Sequence, residues 1–309
     1  MPQTACARYY LAPGLHPSAG IRHPVTDPAT LAEVGLRVEV TPDEIETVVA
    51  RVNAAQARWK LTDAKSRAQA LHDLAHRIQT ADFTDCAILM SREMGKPYPE
   101  AIGELANVAP VFRYYAEMAR DDAGKIAGTT QAGSMQYVRH EPLGVSVHVM
   151  PFNFPILLMC WTVAASLAAG NGCIVKPAEA TTLSTLAFMS VFDGLPPDLV
   201  ACLPGGAATG RALVEHPRTH AVAFTGSVAG GRAVAVAAAA QMKPAVIEAG
   251  GSDPMIISAS APVDVAAAGA VTGAFHMSGQ VCTSTERIYV VDAVHDRFVD
   301  AFVAETARL

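Results

Sequence analysis

The sequence predicts an α/β protein: a parallel sheet with helices on both faces, then the start of a second, incomplete α/β domain. Three observations carry this. From Val145 onward, short β-branched runs at 145–150, 173–176, 221–224, 246–248 and 254–257 alternate with helical stretches, the sequence mark of βαβ units. The 309 residues, 51% of them hydrophobic, suffice to bury a sizeable core and to divide into two domains. Finally, a strand at 287–291 and a helix with Phe298, Phe302 and Val303 on one face run to Leu309 without a glycine or proline stop, so the sequence begins a domain there and does not finish it.

Taken in order, Thr41-Pro42-Asp43-Glu44 reads as a helix start, with a threonine cap, proline at the first helical position and glutamate three residues after the cap. Ile45, Val48, Val49, Val52 and Trp59 then recur at helical spacing. Further helical stretches are predicted over 64–88 and from Pro99 to about Arg120, making the first third mostly helix. At 133–139 a Gly-Ser turn precedes the β-favouring Met135, Tyr137 and Val138, which reads as half of a projecting hairpin. The apolar run 154–169 covers 16 residues, short of the roughly 20 that span a bilayer, and reads as a buried helix.

A formal net charge of −6 with no long lysine or arginine run gives no electrostatic footprint for nucleic acid. The six cysteines (Cys6, Cys86, Cys160, Cys173, Cys202, Cys282) are scattered singly, without a CxxC pair or ligand-spaced histidines. Neither a metal site nor a disulfide framework is predicted, and a reducing cytoplasm fits. The N-terminal stretch lacks a signal-peptide pattern.

Five stretches carry chemistry. The loop 224–232 follows a strand and opens an alanine-rich helix, a setting in which a dinucleotide pyrophosphate sits on the N–H groups at a helix start; a glycine-lined turn is the plainer alternative. Lys176 and Glu179 follow another strand and are placed to hold ribose hydroxyls, or to form a solvated salt bridge. Glu248 ends an apolar strand, where burial would raise its pKa toward that of a general base. Asn153 lies between Pro151 and Pro155, so its amide is either a fixed donor to an oxyanion or a turn former. Cys282 sits in a Gly-Gln-Val-Cys-Thr-Ser stretch, whereas Cys160 lies among core residues; accessible, polarised thiols are the nucleophilic ones. His148 and His276 read as structural histidines.

Together and in this order, the sequence resembles the aldehyde dehydrogenase superfamily of the NAD(P)-dependent, hydrolytic type. The matching segments are REMGKP (92–97), EPLGV (141–145), PFNFP (151–155), LAAGN (167–171), KPAE (176–179), GLPP (194–197), FTGS (224–227), IEAGG (247–251) and GQVCTS (279–284). The resemblance covers nearly the whole chain from about residue 25. It implies an aldehyde-dehydrogenase-like fold with a Rossmann-type cofactor-binding domain over 1–249, interrupted by an oligomerisation hairpin at about 125–143, and a catalytic domain that starts at 250 and is truncated at 309. Cys282 would be the nucleophile, Glu248 the general base, and Asn153 an oxyanion donor with the backbone N–H of Cys282. Lys176 and Glu179 would hold the adenosine ribose, with Gly226, Ser227 and Gly231 in the cofactor turn and Pro151 and Phe152 beside the cofactor.

The resemblance further implies NAD rather than NADP, a small aldehyde substrate, no nucleic-acid or membrane partner, and a homo-oligomer, dimer or tetramer, when full-length. Two departures stand out: Met277 occupies a position where members usually carry asparagine, and Ala249 replaces a usual leucine. Members also continue well past Leu309, with a glutamate that holds the nicotinamide ribose and a strand that completes the oligomerisation sheet, so the resemblance implies an N-terminal fragment. Two other readings compete: a non-catalytic remnant that at most binds nucleotide, and a coenzyme-A-acylating relative, against which Glu248 counts because thiol transfer needs no hydrolytic base. The sequence leaves betaine aldehyde, succinate semialdehyde and other small aldehydes open as substrates.

Overall fold

The computed structural model describes residues 8–121, 124–128 and 131–309, so Cys6 lies outside the described residues. The chain opens with β1 (Arg8–Leu11), β2 (Leu15–Pro17), β3 (Ile21–Thr26) and β4 (Glu33–Glu39). Next come α1 (Pro42–Trp59), α2 (Ala64–Thr80), α3 (Thr84–Met94), α4 (Tyr98–Ala106) and α5 (Val108–Met118). The strands β5 (Lys125–Ala127) and β6 (Gln136–Val138) lead into β7 (Val145–Val149), α6 (Leu157–Ala168), β8 (Gly172–Lys176), α7 (Thr182–Phe188) and β9 (Val200–Cys202). Then follow α8 (Ala207–Glu215), β10 (Ala221–Gly226), α9 (Val228–Ala239), β11 (Ala245–Ala249), β12 (Asp253–Ile257), α10 (Val263–Phe275), β13 (Thr285–Val290) and α11 (His295–Thr306). Two compact units result, one of Met1–Thr225 with Ala229–Ile247, the other of Gly226–Val228 with Glu248–Leu309.

The first unit is organised by a seven-stranded sheet in the order β11-β10-β7-β8-β9-β1-β2. The strands β10, β7, β8 and β9 pair in parallel, and β1 closes antiparallel onto β9 with Leu11 opposite Ala201. Alternation along β7 shows how both faces are covered. Val145 and Val147 join the core formed by Val48, Val49 and Val52 of α1 with Ile174 and Leu213. On the opposite face, the Ser146 hydroxyl meets that of Ser166 at 3.0 Å, and His148 Nδ1 meets the Thr162 hydroxyl at 2.8 Å, both partners lying on α6. Burial pushes the His148 imidazole down to about 3, so it stays neutral as a satisfied core histidine.

In the second unit, β12, α10 and β13 form a βαβ crossover, with β12 and β13 paired in parallel. Ile257, Val263, Ala267, Ala270, Val294 and Phe298 make its core. The alternate residues Ile256 and Tyr289, opposite each other in register, stand 76% and 54% exposed on the other face.

The parallel sheet, the helices on both faces, the β5–β6 hairpin and the buried helix α6 all appear where the sequence placed them. Residues 129 and 130 of the hairpin lie outside the described residues. No helix among the described residues is long and apolar enough to cross a membrane. Two predictions are corrected, and five strands are added. The stretch 64–88 is broken between α2 and α3, where Asp82 accepts the Thr84 N–H at 2.9 Å and restarts the helix. The stretch from Pro99 is broken at Asn107, because Pro110 has no N–H to continue an unbroken helix and is tolerated only in the first turn of a new one. The strands β1–β4 and the three-residue β9 were not predicted; β3 carries a proline, and each is recognisable only by its partner.

The capping box at α1 forms as predicted. Thr41 Oγ1 accepts the Glu44 N–H at 3.2 Å, and the Glu44 carboxylate accepts the Thr41 N–H at 2.7 Å, the Ala19 N–H at 2.9 Å and the Ser18 hydroxyl at 2.8 Å. Replacing an N-cap threonine by alanine costs about 1 kcal/mol, so Thr41→Ala is predicted to lower the unfolding free energy by about that amount, measured as a shift of the urea midpoint at unchanged m-value.

Candidate active site

The predicted site residues of the first unit gather at the carboxyl ends of its parallel strands. β7 delivers the chain into the Pro151–Pro155 loop and β8 delivers Lys176. The two ends are tied together by the Met150 N–H donating to the Lys176 carbonyl at 3.0 Å. Pro151 is buried, Phe152 exposed and Asn153 half-buried. The Asn153 side-chain oxygen accepts the Phe154 N–H at 3.0 Å, which assigns the other end of the amide as its donor.

What holds that loop was not read from the sequence. Glu104 on α4 sends one carboxylate oxygen to the backbone N–H groups of Ile156 and Leu157, each at 2.9 Å, where α6 begins without a side-chain cap of its own. The other oxygen pairs with Lys96, and both side chains are fully buried. The Lys96 ammonium lies 4.1 Å from the centre of the Phe154 ring, and burial draws its pKa below the ordinary lysine range although Glu104 opposes this. Glu93, three residues before Lys96, does the same for α7. Its carboxyl accepts from Leu183 N–H at 3.0 Å and Ser184 N–H at 2.9 Å, and from the Ser184 hydroxyl. The segment REMGKP was part of the resemblance, but its buried Glu93 and Lys96 have no periodicity or spacing signal. Only their partners, distant in sequence, reveal them.

Lys176 is buried and Glu179 exposed. Gly206 and Gly210 come close to them. A Cβ at Gly206 would stand 3.4 Å from Glu179 Oε1, and one at Gly210 would stand 3.3 Å from Lys176 Cδ. Glu179 is ion-paired with Arg37 of β4 at 2.5 Å, a partner the sequence reading did not anticipate because β4 itself was not predicted. The other terminal nitrogen of Arg37, Nη1, is buried and has no hydrogen-bond partner among the described residues. Gly231 on α9 allows close packing: a Cβ there would fall 2.9 Å from Ile247 Cγ2 and 3.3 Å from the Phe224 ring. Close glycine approaches beside a buried lysine, a half-satisfied guanidinium and a glycine-lined helix fit the ribose and phosphates of a dinucleotide.

In the second unit, Gly226 accepts the Gly250 N–H at 3.1 Å, and Ser227 follows it before α9. Gly251 donates to the Cys282 carbonyl at 3.2 Å, and Asp253 to the Ser284 carbonyl at 3.2 Å, which pins the segment after Glu248 alongside the Cys282 loop. Cys282 is exposed, whereas Cys86, Cys160, Cys173 and Cys202 are buried and burial pushes their thiols up, that of Cys173 to about 12. The burial predicted for Glu248 is not found: Glu248 is exposed, because β11 is the end strand of its sheet and only Ile247 within it is half-covered. Ahead of Cys282, three consecutive residues are left-handed: Met277 (φ 57), Ser278 (φ 54) and Gly279 (φ 78). Asparagine visits that region readily and methionine does not, at roughly 1–2 kcal/mol, so Met277 is held there by its full burial.

A groove of about 450 Å³ lined by Ile78, Phe83, Ile102, Leu105 and Arg113 among the helices of the first unit contains none of these residues. Glu93 gives the first unit a pH dependence. Burial pushes its carboxyl from 4.5 up to about 8, against the hydrogen bonds it accepts, so the folded state holds a proton that the unfolded state has lost between those values. Unfolding free energy is predicted to fall as pH rises from 4.5 to about 8, with Glu93→Gln removing that slope in denaturant titrations across the window.

The profile of the "Aldehyde dehydrogenase family" matches residues 16–309. Betaine aldehyde dehydrogenase 1 of Oryza sativa subsp. japonica is 34% identical over 299 residues, covering 93% of this chain and 59% of that protein. Alpha-ketoglutaric semialdehyde dehydrogenase of Bacillus subtilis (strain 168) is 32% identical over 286 residues, covering 91% and 58%. Among solved structures, an aldehyde dehydrogenase from Brucella melitensis biovar abortus 2308 superposes with a TM-score of 0.94 at 30% identity, over 100% of this chain and 65% of that one. The chain therefore spans well under two thirds of the curated relatives it matches, and it belongs to the aldehyde dehydrogenase family.

Proposed function

We propose that this chain supplies the cofactor site, nucleophile and hydrolytic base of an NAD-dependent aldehyde dehydrogenase that converts an aldehyde to its carboxylic acid. The observation that carries the reading is the exposed Cys282 thiol on a loop bonded through its carbonyl to Gly251, three residues beyond an exposed Glu248. The Cys282 thiolate adds to the aldehyde carbon, and the carbonyl oxygen becomes an oxyanion that the Asn153 amide and the Cys282 backbone N–H stabilise. NAD, when bound, supplies the acceptor for the hydride that the thiohemiacetal carbon loses in becoming a thioester. Glu248 takes a proton from the water that attacks the thioester, releasing the acid and restoring the thiol.

Lys176 and Glu179 hold the adenosine ribose in this reading, Gly226, Ser227 and Gly231 the pyrophosphate turn, and Pro151 and Phe152 flank the cofactor. A lone Glu179 carboxylate would accept from a ribose 2′-hydroxyl and repel a 2′-phosphate. Arg37, ion-paired to it, tempers that repulsion, so NAD is preferred by less than a bare carboxylate would impose. A small aldehyde is the substrate class. The exposed apolar residues Ile126 (86%) and Tyr137 (71%) of the β5–β6 hairpin suit pairing with a second copy, and the free cysteines suit a reducing cytoplasm.

Two measurements on the protein carrying this chain test the reading. Cys282→Ala is predicted to abolish turnover, and Glu248→Gln to preserve the first burst of NADH while slowing the steady state; equal loss of both phases in Glu248→Gln would give that residue a different role. For the cofactor, kcat/KM is predicted to be higher with NAD than with NADP, and Arg37→Ala to widen the gap on the order of tenfold as the offsetting charge is lost. A preference for NADP contradicts the assignment.

A further inference from the structure

We infer that Glu104, steadied by Lys96, is a positioning residue for the Asn153 loop: its carboxylate sets the start of α6 and thereby the place of the Asn153 amide. The catalytic part of this inference rests on the function proposed above; the structural part does not.

The loop between β7 and α6 runs between two prolines into the start of a helix. Pro151 and Pro155 have no N–H, and the Asn153 side-chain oxygen accepts the N–H of its neighbour Phe154. α6 begins with no side-chain cap from its own segment. The N–H groups of Ile156 and Leu157 converge instead on one oxygen of Glu104, which lies more than 50 residues earlier (|i−j| 52 and 53), at 2.9 Å each. A carboxylate at that end of a helix also meets the positive end of its dipole. On the other side, the Lys96 ammonium caps the face of the Phe154 ring at 4.1 Å while pairing with the second oxygen of Glu104. Residues immediately after Asn153 are thus gripped twice by one buried pair. Lys96 lies at the corner where α3 ends in the left-handed Gly95 and Pro97 precedes α4, and Glu104 lies on α4 itself. A buried ion pair adds little stability over apolar residues of the same shape, so its location on this loop is the better account of it.

Capping and charge pairing make opposite demands on two conservative variants. Glu104→Asp keeps the charge opposite Lys96, whose flexible stem can follow it, but withdraws the acceptor by about 1.5 Å, the length of one carbon–carbon bond. The double variant Lys96→Met with Glu104→Gln removes both charges but keeps an oxygen within reach of Ile156 and Leu157. Hydrogen exchange on the whole chain is predicted to show the Ile156 and Leu157 amides exchanging at least about tenfold faster in Glu104→Asp and near the wild-type rate in the double variant. In the active protein, Glu104→Asp should lower kcat on the order of 10- to 100-fold, as a displacement of about 1 Å does, with KM for the cofactor within about twofold. Wild-type exchange in Glu104→Asp, or lost protection or failure to fold in the double variant, overturns the inference. An unchanged kcat beside the predicted exchange overturns its catalytic part. If the wild-type protein oxidises no aldehyde, the function proposed above falls, while the exchange rates still decide whether Glu104 sets the loop.

Discussion

Three buried ionisable side chains at one corner of the helical layer set the terms for the first unit. Glu93, Lys96 and Glu104 lie within one turn-linked stretch of α3 and α4, and each is directed at backbone or ring atoms far along the chain. Burying a carboxylate or an ammonium is expensive unless every charge has a partner. Here the partners are the helix-start N–H groups of α6 and α7, which would themselves be costly to bury unpaired. The corner and the two helices therefore need one another. The consequence reaches both loops beyond the parallel strands, because α6 follows Asn153 and α7 follows Glu179.

The strands make that arrangement productive. In a parallel sheet all carboxyl ends lie on one edge, so side chains separated by tens of residues emerge together there. Pro151, Asn153, Lys176 and Glu179 do so, and the Met150–Lys176 backbone bond fixes the spacing between two of the loops. Arg37 reaches the same edge from β4, where alternation buries Val38 and turns Arg37 and Glu39 the other way. Its pairing with Glu179 alters the electrostatics of this edge without any change in the KPAE segment itself.

The second unit uses backbone bonds and strain instead of buried charge. Gly251 approaches the Cys282 carbonyl so closely that a Cβ would fall at 3.0 Å, and glycine is what permits it. The left-handed run 277–279 turns the chain sharply before the cysteine. Met277 is fully buried, so apolar burial offsets a backbone conformation that asparagine would adopt with less strain. The departure from the family pattern thus has a local structural compensation.

Local chemistry determined what the sequence alone made legible. The alternation of β-branched runs with helices, the capping box at Thr41 and Glu44, the hairpin around Tyr137 and the exposed setting of Cys282 each depend on residues close together in the chain. The ordered segments from REMGKP to GQVCTS also carried the family. Tertiary structure decided the rest. β1 and β9 are short and pair with strands far along the chain, β3 carries Pro24, and β4 was not recognised, so Arg37 could not be placed. Glu248 read as buried because it ends an apolar strand, but the position of that strand at the end of the sheet leaves it exposed. Glu93, Lys96 and Glu104 gave no local sign of their burial, since the groups they satisfy lie from about 50 to 90 residues away, and whether such a side chain is solvated or buried against a helix start is fixed only when the fold brings the two together.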